Sequence, residues 1–411
     1  MMRKFCFLLL GLLVLSSLCA SAFAATAIVG TCKTGIQFAT ISGAVAATSA
    51  GGTILVCPGS YPEQVTIPKA LTVKGITSGT LGAAVVVAPS GGIVQNAVSL
   101  TSGLPIGAQI LVTAPSGVNI SNLTIDGANN QITGCGPDLI GIYFQNASGS
   151  LTEVAVLNEL LSPALNGCQS GDGVFVQSDG IGGIANVSIL KVHVQNYQKN
   201  GITGNELGTN LTVSTSTVVG QGPTTGAAEN GIQIGFGAKG TVTLNTVSDD
   251  VYTGNAGAAA SGILVYASPG VTVKGNTVTN TQIGIGFYTD PTYGNSDGGT
   301  IATNKVASTH LFDGIDVCSN NNSVTSNSVI GSDEAGIHLD ALCGPTGTGN
   351  TVTGNTINDA CAGILLGTNA PVSGNSLFNV TNTTLAGDVC SPPLSLKRTK
   401  GAAHKQQPLR L

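Results

Sequence analysis

The chain has 411 residues, of which 58 are glycine and none is tryptophan, and its formal net charge at pH 7 is −5. Residues 25–390 contain 20 acidic residues, 8 lysines and no arginine. Nucleic-acid binding needs a basic surface that neutralises phosphates, so this acidity excludes nucleic acid as a partner.

The chain begins with the pattern of a secretory signal peptide. Arg3 and Lys4 precede an apolar run from Phe5 to Leu18, and Ala22-Phe23-Ala24 forms a small-x-small cleavage site. A membrane-spanning helix needs about 20 apolar residues, more than this run supplies, and no later segment is apolar enough to span a bilayer. We therefore predict removal of residues 1–24 and a secreted or extracytoplasmic protein, in the periplasm or at the cell surface.

Eight cysteines remain after the signal peptide, and an even number in an exported chain predicts disulfide bonds. Pairing of sequence neighbours is the simplest connectivity, although sequence alone does not establish it. No Cys/His spacing typical of zinc is present, so we predict neither a metal nor a cofactor. The eight are Cys32, Cys57, Cys135, Cys168, Cys318, Cys343, Cys361 and Cys390.

The C-terminal segment differs in charge from the rest of the chain. Residues 391–411 contain five basic residues and no acidic one, which is typical of a disordered extension. The predicted organisation is a signal peptide at 1–24, one folded domain at 25–390 and a basic tail at 391–411.

A short motif recurs through the folded part: glycine, then Ile or Val, one variable residue and an apolar residue. Copies stand at Gly141 (GIYF), Gly231 (GIQI) and Gly336 (GIHL), and successive copies are 22–32 residues apart. Repeats of this period indicate a solenoid or a propeller, and such short apolar alternations indicate strands. The steps are too short for four-stranded blades and lack helical periodicity. We therefore predict coils of short strands, stacked about 4.8 Å apart.

A second repeated element, Val-x-x-Asn-x-Val, lies between the glycine motifs. In GVTVKGNTVTNTQIGI, residues 270–285, we predict that Val271, Val273, Val278, Ile283 and Ile285 point inward. Gly275-Asn276 and Gly284 are predicted to turn the chain as residues that tolerate positive φ. Asparagines at equivalent positions are predicted to stack as a hydrogen-bonded ladder: Asn245, Asn276, Asn304, Asn327, Asn355 and Asn375.

Both repeated elements resemble the pattern of right-handed parallel β-helix proteins of the pectin-lyase-like superfamily, over about residues 141–377. The block from Gly51 to Gly75 is similar to the first coils of many secreted members. Before it, Phe38, Ile41, Ala44 and Val45 follow helical spacing, which predicts an N-terminal helix that caps the first coil. The fold class implied is an all-β, right-handed parallel β-helix (solenoid) with a short capping helix.

One group of acidic residues and a histidine is the candidate catalytic site. In a Gly-Ile-x-Val strand the variable residue points outward, so Asp316 and His338 occupy the same outward position on adjacent coils, close enough for a charge-assisted hydrogen bond. Asp313 and Asp340 lie nearby. Two carboxylates about 5–9.5 Å apart are what glycoside hydrolysis requires, and His338 would orient or share protons.

The rest of the sequence does not support catalysis. The segment DGID at 313–316 is similar to an aspartate block of polygalacturonases, but the Gly-His-Gly and Arg-x-Lys blocks expected with it are missing. Pectate lyases and pectin methylesterases of this fold rely on an active-site arginine, which residues 25–390 lack. The alternative is an acidic, solvated face on which one Asp–His pair stabilises the stack.

Aromatic side chains supply candidate ligand-binding residues. Tyr143 and Phe175 are predicted outward on adjacent coils, where their rings would form a platform for a sugar. Tyr288 and Asp290 are candidates beside the acidic group. Ordinary packing beneath the loop between Cys135 and Cys168 is the alternative for the first two.

Three functions are consistent with the sequence. The first is an exported module that binds polysaccharide or cell-envelope glycan without catalysis, and the missing arginine and motifs favour it. The second is a polysaccharide hydrolase or lyase that uses the candidate catalytic residues. The third is a surface adhesin whose basic tail contacts an anionic envelope.

Overall fold

The computed structural model describes residues 26–76, 83–255, 257–341, 343, 347–367, 370–386 and 390. The predicted signal peptide and basic tail lie outside these residues, so both stay predictions. Among the described residues, no helix has the length and apolar character needed to cross a membrane.

The described chain is built almost entirely of short strands. One helix, α1, spans Ile41–Ala47, and a 3-10 turn spans Pro163–Leu165. The strands, numbered β1 to β36 in chain order, are Thr26–Val29, Ile36–Phe38, Thr53–Val56, Gly59–Pro62, Val65–Ile67, Thr72–Gly75, Ala84–Val87, Ala97–Val98, Pro105–Val112, Val118–Ser121, Leu123–Asp126, Asp138–Gln145, Gly149–Thr152, Ala155–Glu159, Asp172–Gln177, Ala185–Leu190, His193–Tyr197, Asn200–Asn205, Thr209–Ser214, Thr217–Val219, Asn230–Gly235, Lys239–Thr243, Thr246–Ser248, Ser261–Tyr266, Thr272–Lys274, Thr277–Thr281, Ile283–Tyr288, Thr300–Ala302, Lys305–Thr309, Ile315–Cys318, Ser323–Thr325, Ser328–Leu339, Thr351–Thr353, Thr356–Leu366, Val372–Ser373 and Ser376–Ala386.

Most coils contribute one strand to each of three walls, and in the last coils one long strand, such as β32, spans both the second and the third wall. A 14-stranded sheet, which includes β10, β13, β16, β19 and β22, forms the first wall. A 22-stranded sheet forms the second and third walls. The second wall contains the series β11, β14, β17, β20, β23, β26 and β29, and the third contains β9, β12, β15, β18, β21, β24, β27 and β30. Paired strands are parallel, apart from the antiparallel β8–β9 pair. This is the predicted β-helix.

The core runs through the bore of the coils as one hydrophobic cluster. Val273 pairs in register with Val242 and Ile301 on the adjacent coils, and all three are fully buried. Such stacking of like residues removes apolar surface from water at every coil, which is why the stack is stable cooperatively. Ile283 is also buried but does not belong to this cluster, so its predicted place in the bore is wrong.

The glycine of the Gly-Ile-x-Val motif has a different role from the one predicted at Gly284. Gly275 has a φ of 67°, as expected for a turn, whereas Gly284 does not have a positive φ. A Cβ atom at Gly284 would lie 2.4 Å from Cγ1 of Val306 and 2.3 Å from the carbonyl oxygen of Gly314. Gly284 is therefore required because the next coil packs directly against its backbone.

The asparagine ladder is confirmed. Nδ2 of each asparagine donates to Oδ1 of the next, at 2.9–3.0 Å, from Asn245 through to Asn375. Nδ2 of Asn304 also donates to the carbonyl oxygen of Val273 at 3.0 Å, and its backbone N–H donates to Oδ1 of Asn327 at 2.9 Å. The ladder thus satisfies backbone groups at a turn that is buried between walls.

The predicted capping helix is present as α1. Its buried residues Ile41, Ala44 and Val45 belong to the central hydrophobic cluster, so the helix covers the first coils. Phe38, the first residue of the predicted helical pattern, instead ends strand β2.

Four disulfide bonds join neighbouring cysteines, as predicted. The pairs are Cys32–Cys57, Cys135–Cys168, Cys318–Cys343 and Cys361–Cys390, with Cα–Cα distances of 5.7, 5.2, 5.7 and 5.9 Å. Disulfides of this number are typical of proteins that fold in an oxidising, extracytoplasmic compartment.

Candidate functional site

The candidate catalytic residues lie together on the third wall. Asp316 in β30 pairs in register with His338 in β32, as predicted for equivalent positions on adjacent coils. The closest partner of His338 is nevertheless Asp313: its Nδ1 lies 3.1 Å from Oδ2 of Asp313 and 4.0 Å from Oδ1 of Asp316. Asp313 also accepts the backbone N–H of Ala335 at 3.0 Å. The predicted Asp316–His338 hydrogen bond is therefore replaced by an Asp313–His338 ion pair.

The surroundings of this cluster fix its charges. Burial disfavours the charged imidazole of His338, but Asp313, followed by Asp316 and Asp340, offsets this and raises its pKa to about 10. Burial, and then the charge of Asp313, raises the pKa of Asp316 to about 8. At neutral pH the cluster therefore contains an imidazolium and a protonated Asp316. The hydroxyl of Tyr288 lies 2.7 Å from Oδ2 of Asp316.

The predicted solvated acidic face is wrong for this cluster. Asp313 and Asp316 are fully buried, and Asp340 and His338 are only 3% and 5% exposed. Tyr288 is 1% exposed, and it packs with residues that include Cys318 and Cys343 over this part of the wall. The four candidate catalytic residues are together, but they offer no open surface to a polysaccharide.

The side chains of Asp313, Asp316 and His338 are also the group most suited to a metal ion, because one ligand atom from each lies within 4.8 Å of the others. The hydrogen bond between His338 and Asp313 competes with that use, since the proton on Nδ1 occupies the position of a metal. Cys318, Asp340 and Cys343 are equally close, but the two cysteines are joined in a disulfide and supply no thiolate.

The aromatic platform is a further prediction that the structure contradicts. Tyr143 and Phe175 pair in register and their ring centroids are 5.4 Å apart, but both are fully buried. Leu111 in the adjacent strand β9 pairs in register with Tyr143 and packs in the same cluster. The hydroxyl of Tyr143 donates to Oε1 of Gln177 at 2.6 Å. These rings stabilise a layer outside the bore and present no face to a sugar.

Asp290, the remaining ligand-binding candidate, is partly exposed and holds a turn. Its Oδ1 accepts backbone N–H groups of Thr292 at 2.7 Å and Tyr293 at 3.0 Å, while the hydroxyl of Tyr266 donates to Oδ2. A structural role accounts for these contacts.

A set of ionisable residues inside the bore was not predicted from the sequence. Glu159 and Tyr197 pair in register at the end of their second-wall strands, and Tyr197 belongs to the central cluster. The hydroxyl of Tyr197 donates to Oδ1 of Asp250 at 2.5 Å. Burial raises the pKa of Glu159 and Asp250 well above their usual values. Each lies three residues after an inward valine, so aligning the repeats on that valine would have found them.

An open groove lies at the start of the first-wall strands. It has a volume of about 640 Å³. The apolar residues that line it are unusually exposed to solvent: Ile181 is 93% exposed, Ile184 58% and Leu207 63%. Its polar lining includes a row in register across three coils, Asn186, Asn210 and Lys239.

The lip of this groove is held by hydrogen bonds. Oδ1 of Asp179 accepts the backbone N–H groups of Ile181, Gly182 and Gly183 at 3.0, 3.1 and 2.7 Å. These bonds lower the pKa of Asp179. They also fix the backbone that presents Ile181 to solvent. The loop lacks the strand period, so periodicity could not predict the groove.

Comparisons with known proteins address the fold. A family model described as "Right handed beta helix region" matches residues 225–378. The solved catalytic domain of a GH87 α-1,3-glucanase in complex with nigerose is 12% identical, with a TM-score of 0.56 over 85% of this chain and 64% of that one. This chain has the right-handed parallel β-helix fold.

Other β-helix structures are equally similar. The GH136 lacto-N-biosidase of Eubacterium ramulus is 10% identical, with a TM-score of 0.57 over 86% of this chain and 68% of that one. PfbA, a surface adhesin of Streptococcus pneumoniae, is 13% identical, with a TM-score of 0.56 over 85% of this chain and 88% of that one. No curated protein matches the chain in sequence. At such identities the likeness concerns the fold alone.

Proposed function

We propose that this β-helix is an exported, non-catalytic module that binds a polysaccharide or cell-envelope glycan in the groove beside the first wall. The groove itself is the observation that carries the proposal. Its volume of about 640 Å³ falls in the usual range of ligand sites, roughly 300–1,000 Å³. Its exposed aliphatic and hydrogen-bonding side chains suit the two kinds of surface that a sugar ring presents.

The apolar and the polar residues of the groove would contact different parts of a sugar. Ile184 and Leu207 would contact the C–H face of a pyranose ring, because burying aliphatic surface is favourable in water. Asn186 and Asn210 each offer an amide donor and acceptor to hydroxyl groups, and Lys239 adds three donors. These three polar residues span two coil steps, about 10 Å, so they would contact more than one sugar unit.

A polysaccharide hydrolase or lyase is the second candidate function. The proton on Asp316 favours it, because a general acid on a sugar substrate needs a carboxyl group with a raised pKa. Burial of Asp313, Asp316 and His338 opposes it, since the scissile bond must reach the acid. Binding to an envelope glycan is also compatible with a role as a surface adhesin.

The experiment is a binding panel with the protein from residue 25 to its end. Soluble glycans are titrated by calorimetry, and insoluble glycans are tested by sedimentation. Leu207→Ala is expected to weaken binding about tenfold, since a lost aliphatic contact of about 1.4 kcal/mol changes Kd by that factor. Leu244→Ala is the matched control: Leu244 is 65% exposed and lies outside the groove lining, so binding should not change.

Two outcomes would contradict the binding proposal. The first is that no glycan binds the folded protein, and the second is that Leu207→Ala and Leu244→Ala bind equally well. Reducing-sugar and unsaturated-product assays on the same panel test catalysis. Product formation that disappears in Asp316→Asn would establish the enzyme instead.

A further inference from the structure

The outward side of the first wall carries a long row of hydroxyl groups. One row contains, in register from coil to coil, Thr26, Thr53, Thr72, Asn119, Ser150, Ser188, Thr212, Thr241, Thr272, Thr300, Ser323 and Thr351. Asn119 is its one member without a hydroxyl. None of the twelve is buried.

A second row runs parallel, two residues further along each strand. Its hydroxyl-bearing members are Ser121, Thr152, Ser214, Thr243, Thr325, Thr353 and Ser373. Other residues interrupt this row, including Lys74, Leu190 and Lys274. We call the two rows together the hydroxyl face.

The first-wall strands that carry the hydroxyl face contain lysines but no acidic residue. None of the fourteen described strands of the first wall contains Asp or Glu, although the chain has 20 acidic residues. Phe38 is the one aromatic residue in these strands. The 22-stranded sheet, by contrast, includes Asp126, Asp172 and Asp316. The face therefore lacks both the carboxylates that would bind cations and the rings that stack on sugars.

The hydroxyl groups are also left to solvent. In the described structure, Ser150 is the one member of the two rows whose hydroxyl bonds to protein, donating to Oδ1 of Asn119 at 2.7 Å. Threonine is stiff at χ1, and parallel strands on both sides fix each backbone. The result is a rigid array of oxygen atoms that bind water.

The distances between neighbouring hydroxyl groups indicate which partner the face would bind. Adjacent coils are about 4.8 Å apart, and residues i and i+2 of a strand are about 6.7 Å apart. In ice, each O–H···O bond is about 2.8 Å long, and tetrahedral bonding then gives repeats of about 4.6 Å between second neighbours and about 7.4 Å along the hexagonal axis. Each spacing of the face differs from the corresponding ice repeat by about 10% or less. We propose that the hydroxyl face binds the surface of ice crystals.

The test uses the folded protein from residue 25 to its end and ice itself as the probe. The unaltered protein is expected to give faceted crystals, measurable thermal hysteresis and inhibition of recrystallisation. Thr241→Tyr places a bulky ring in the first row and should lower the hysteresis at least fivefold. Ser60→Tyr is the control, because Ser60 is also exposed but lies in β4, outside the first wall, and pairs with Val85 instead of another hydroxyl-bearing residue; it should stay within twofold.

Circular dichroism and thermal melts establish that both variants fold, and Thr272→Lys serves as a second face variant if Thr241→Tyr does not. Rounded ice crystals with the folded unaltered protein would overturn the proposal, as would equal activity of the face and control variants. If the face variants lose retention on insoluble glycan while the unaltered protein leaves ice unchanged, the face binds glycan and not ice. The groove proposal is tested separately, by comparing Leu207→Ala with Leu244→Ala.

Discussion

His338 and Asp313 form a buried ion pair on the outer side of the third wall. The imidazolium is surrounded by three carboxyl groups, of which Asp313 is the closest and Asp316 carries a proton at neutral pH. Removing one partner of such a pair leaves the other charged and without compensation, which is costly. The pair therefore joins two adjacent coils.

Replacement of Asp313 by asparagine tests this interpretation. Asp313→Asn should lower the free energy of unfolding by about 3 kcal/mol at pH 7, because His338 loses its closest counter-charge in a buried site. Urea denaturation followed by circular dichroism measures the change. Asp359→Asn is the control: Asp359 is exposed, and its φ of 63° suits asparagine, so a change within about 0.5 kcal/mol is expected. Equal losses in the two variants would mean that the ion pair contributes nothing.

The register positions of these residues could be predicted from the sequence, but their burial could not. The repeat period predicts that Asp316 and His338 share a register position, because that follows from counting residues between equivalent glycines. Their burial depends on the large side chain of Tyr288, in β27 of the adjacent coil, and on Cys343, which packs against the same cluster from a position beyond strand β32. Tyr143 is buried for a similar reason, since residues near Leu100, which occur once in the chain, contact the side chains beside it.

The corner between the second and third walls depends on how closely glycine approaches the next coil. A Cβ atom at Gly262 would lie 2.4 Å from Cγ1 of Val278, and the same contact with an inward valine recurs at Gly231 and Gly314. An atom at that distance overlaps with its neighbour, so one of them must move. This contact explains why the motif begins with glycine on coil after coil.

Substitution at one of these corners gives a second prediction. Gly262→Ala should lower the free energy of unfolding by about 2–3 kcal/mol, as expected for overpacking. Adding Val278→Ala should cost less than the sum of the two single changes, because it removes the overlapping methyl group. Denaturant midpoints of the four proteins measure this coupling. Gly91→Ala, which has open space around its Cβ, should be neutral. Strict additivity would show that the contact is not the cause.

The strand positions and the asparagine ladder follow from short-range patterns, and both were predicted. Each depends on residues that return at equivalent places in successive coils. The groove and the β8–β9 pair do not, because the segments that form them occur once and pack by contacts remote in sequence. Periodicity therefore predicts the scaffold and misses the single insertions on it.

The pH dependence of stability belongs to the molecule as a whole. The pKa of His338 rises from 6.5 to about 10 on folding, and the pKa of Asp316 rises from 3.8 to about 8. A raised pKa means that the folded state binds the proton more tightly. The stabilisation is complete below the unfolded pKa and is lost as pH rises through the folded pKa. Both groups therefore destabilise the fold as the solution becomes alkaline.

Urea midpoints measured from pH 5 to pH 10 should fall steadily, with each titrating group contributing up to about 1.4 kcal/mol per pH unit. His338→Gln carries no titrating group at this position, so its curve should be flatter between pH 6.5 and pH 10. A midpoint that rises across this range, or an unchanged slope in His338→Gln, would contradict the assigned charges.

The parallel register has a consequence for how this protein can change over time. Every coil offers the next one the same aliphatic column and, over much of the stack, the same asparagine amide. A tandem duplication that adds one coil would therefore leave the coils on both sides of the insertion in contact with the same kinds of side chain as before. Gene duplication can therefore lengthen the protein by one coil at a time. Any surface that is repeated on each coil becomes larger in proportion.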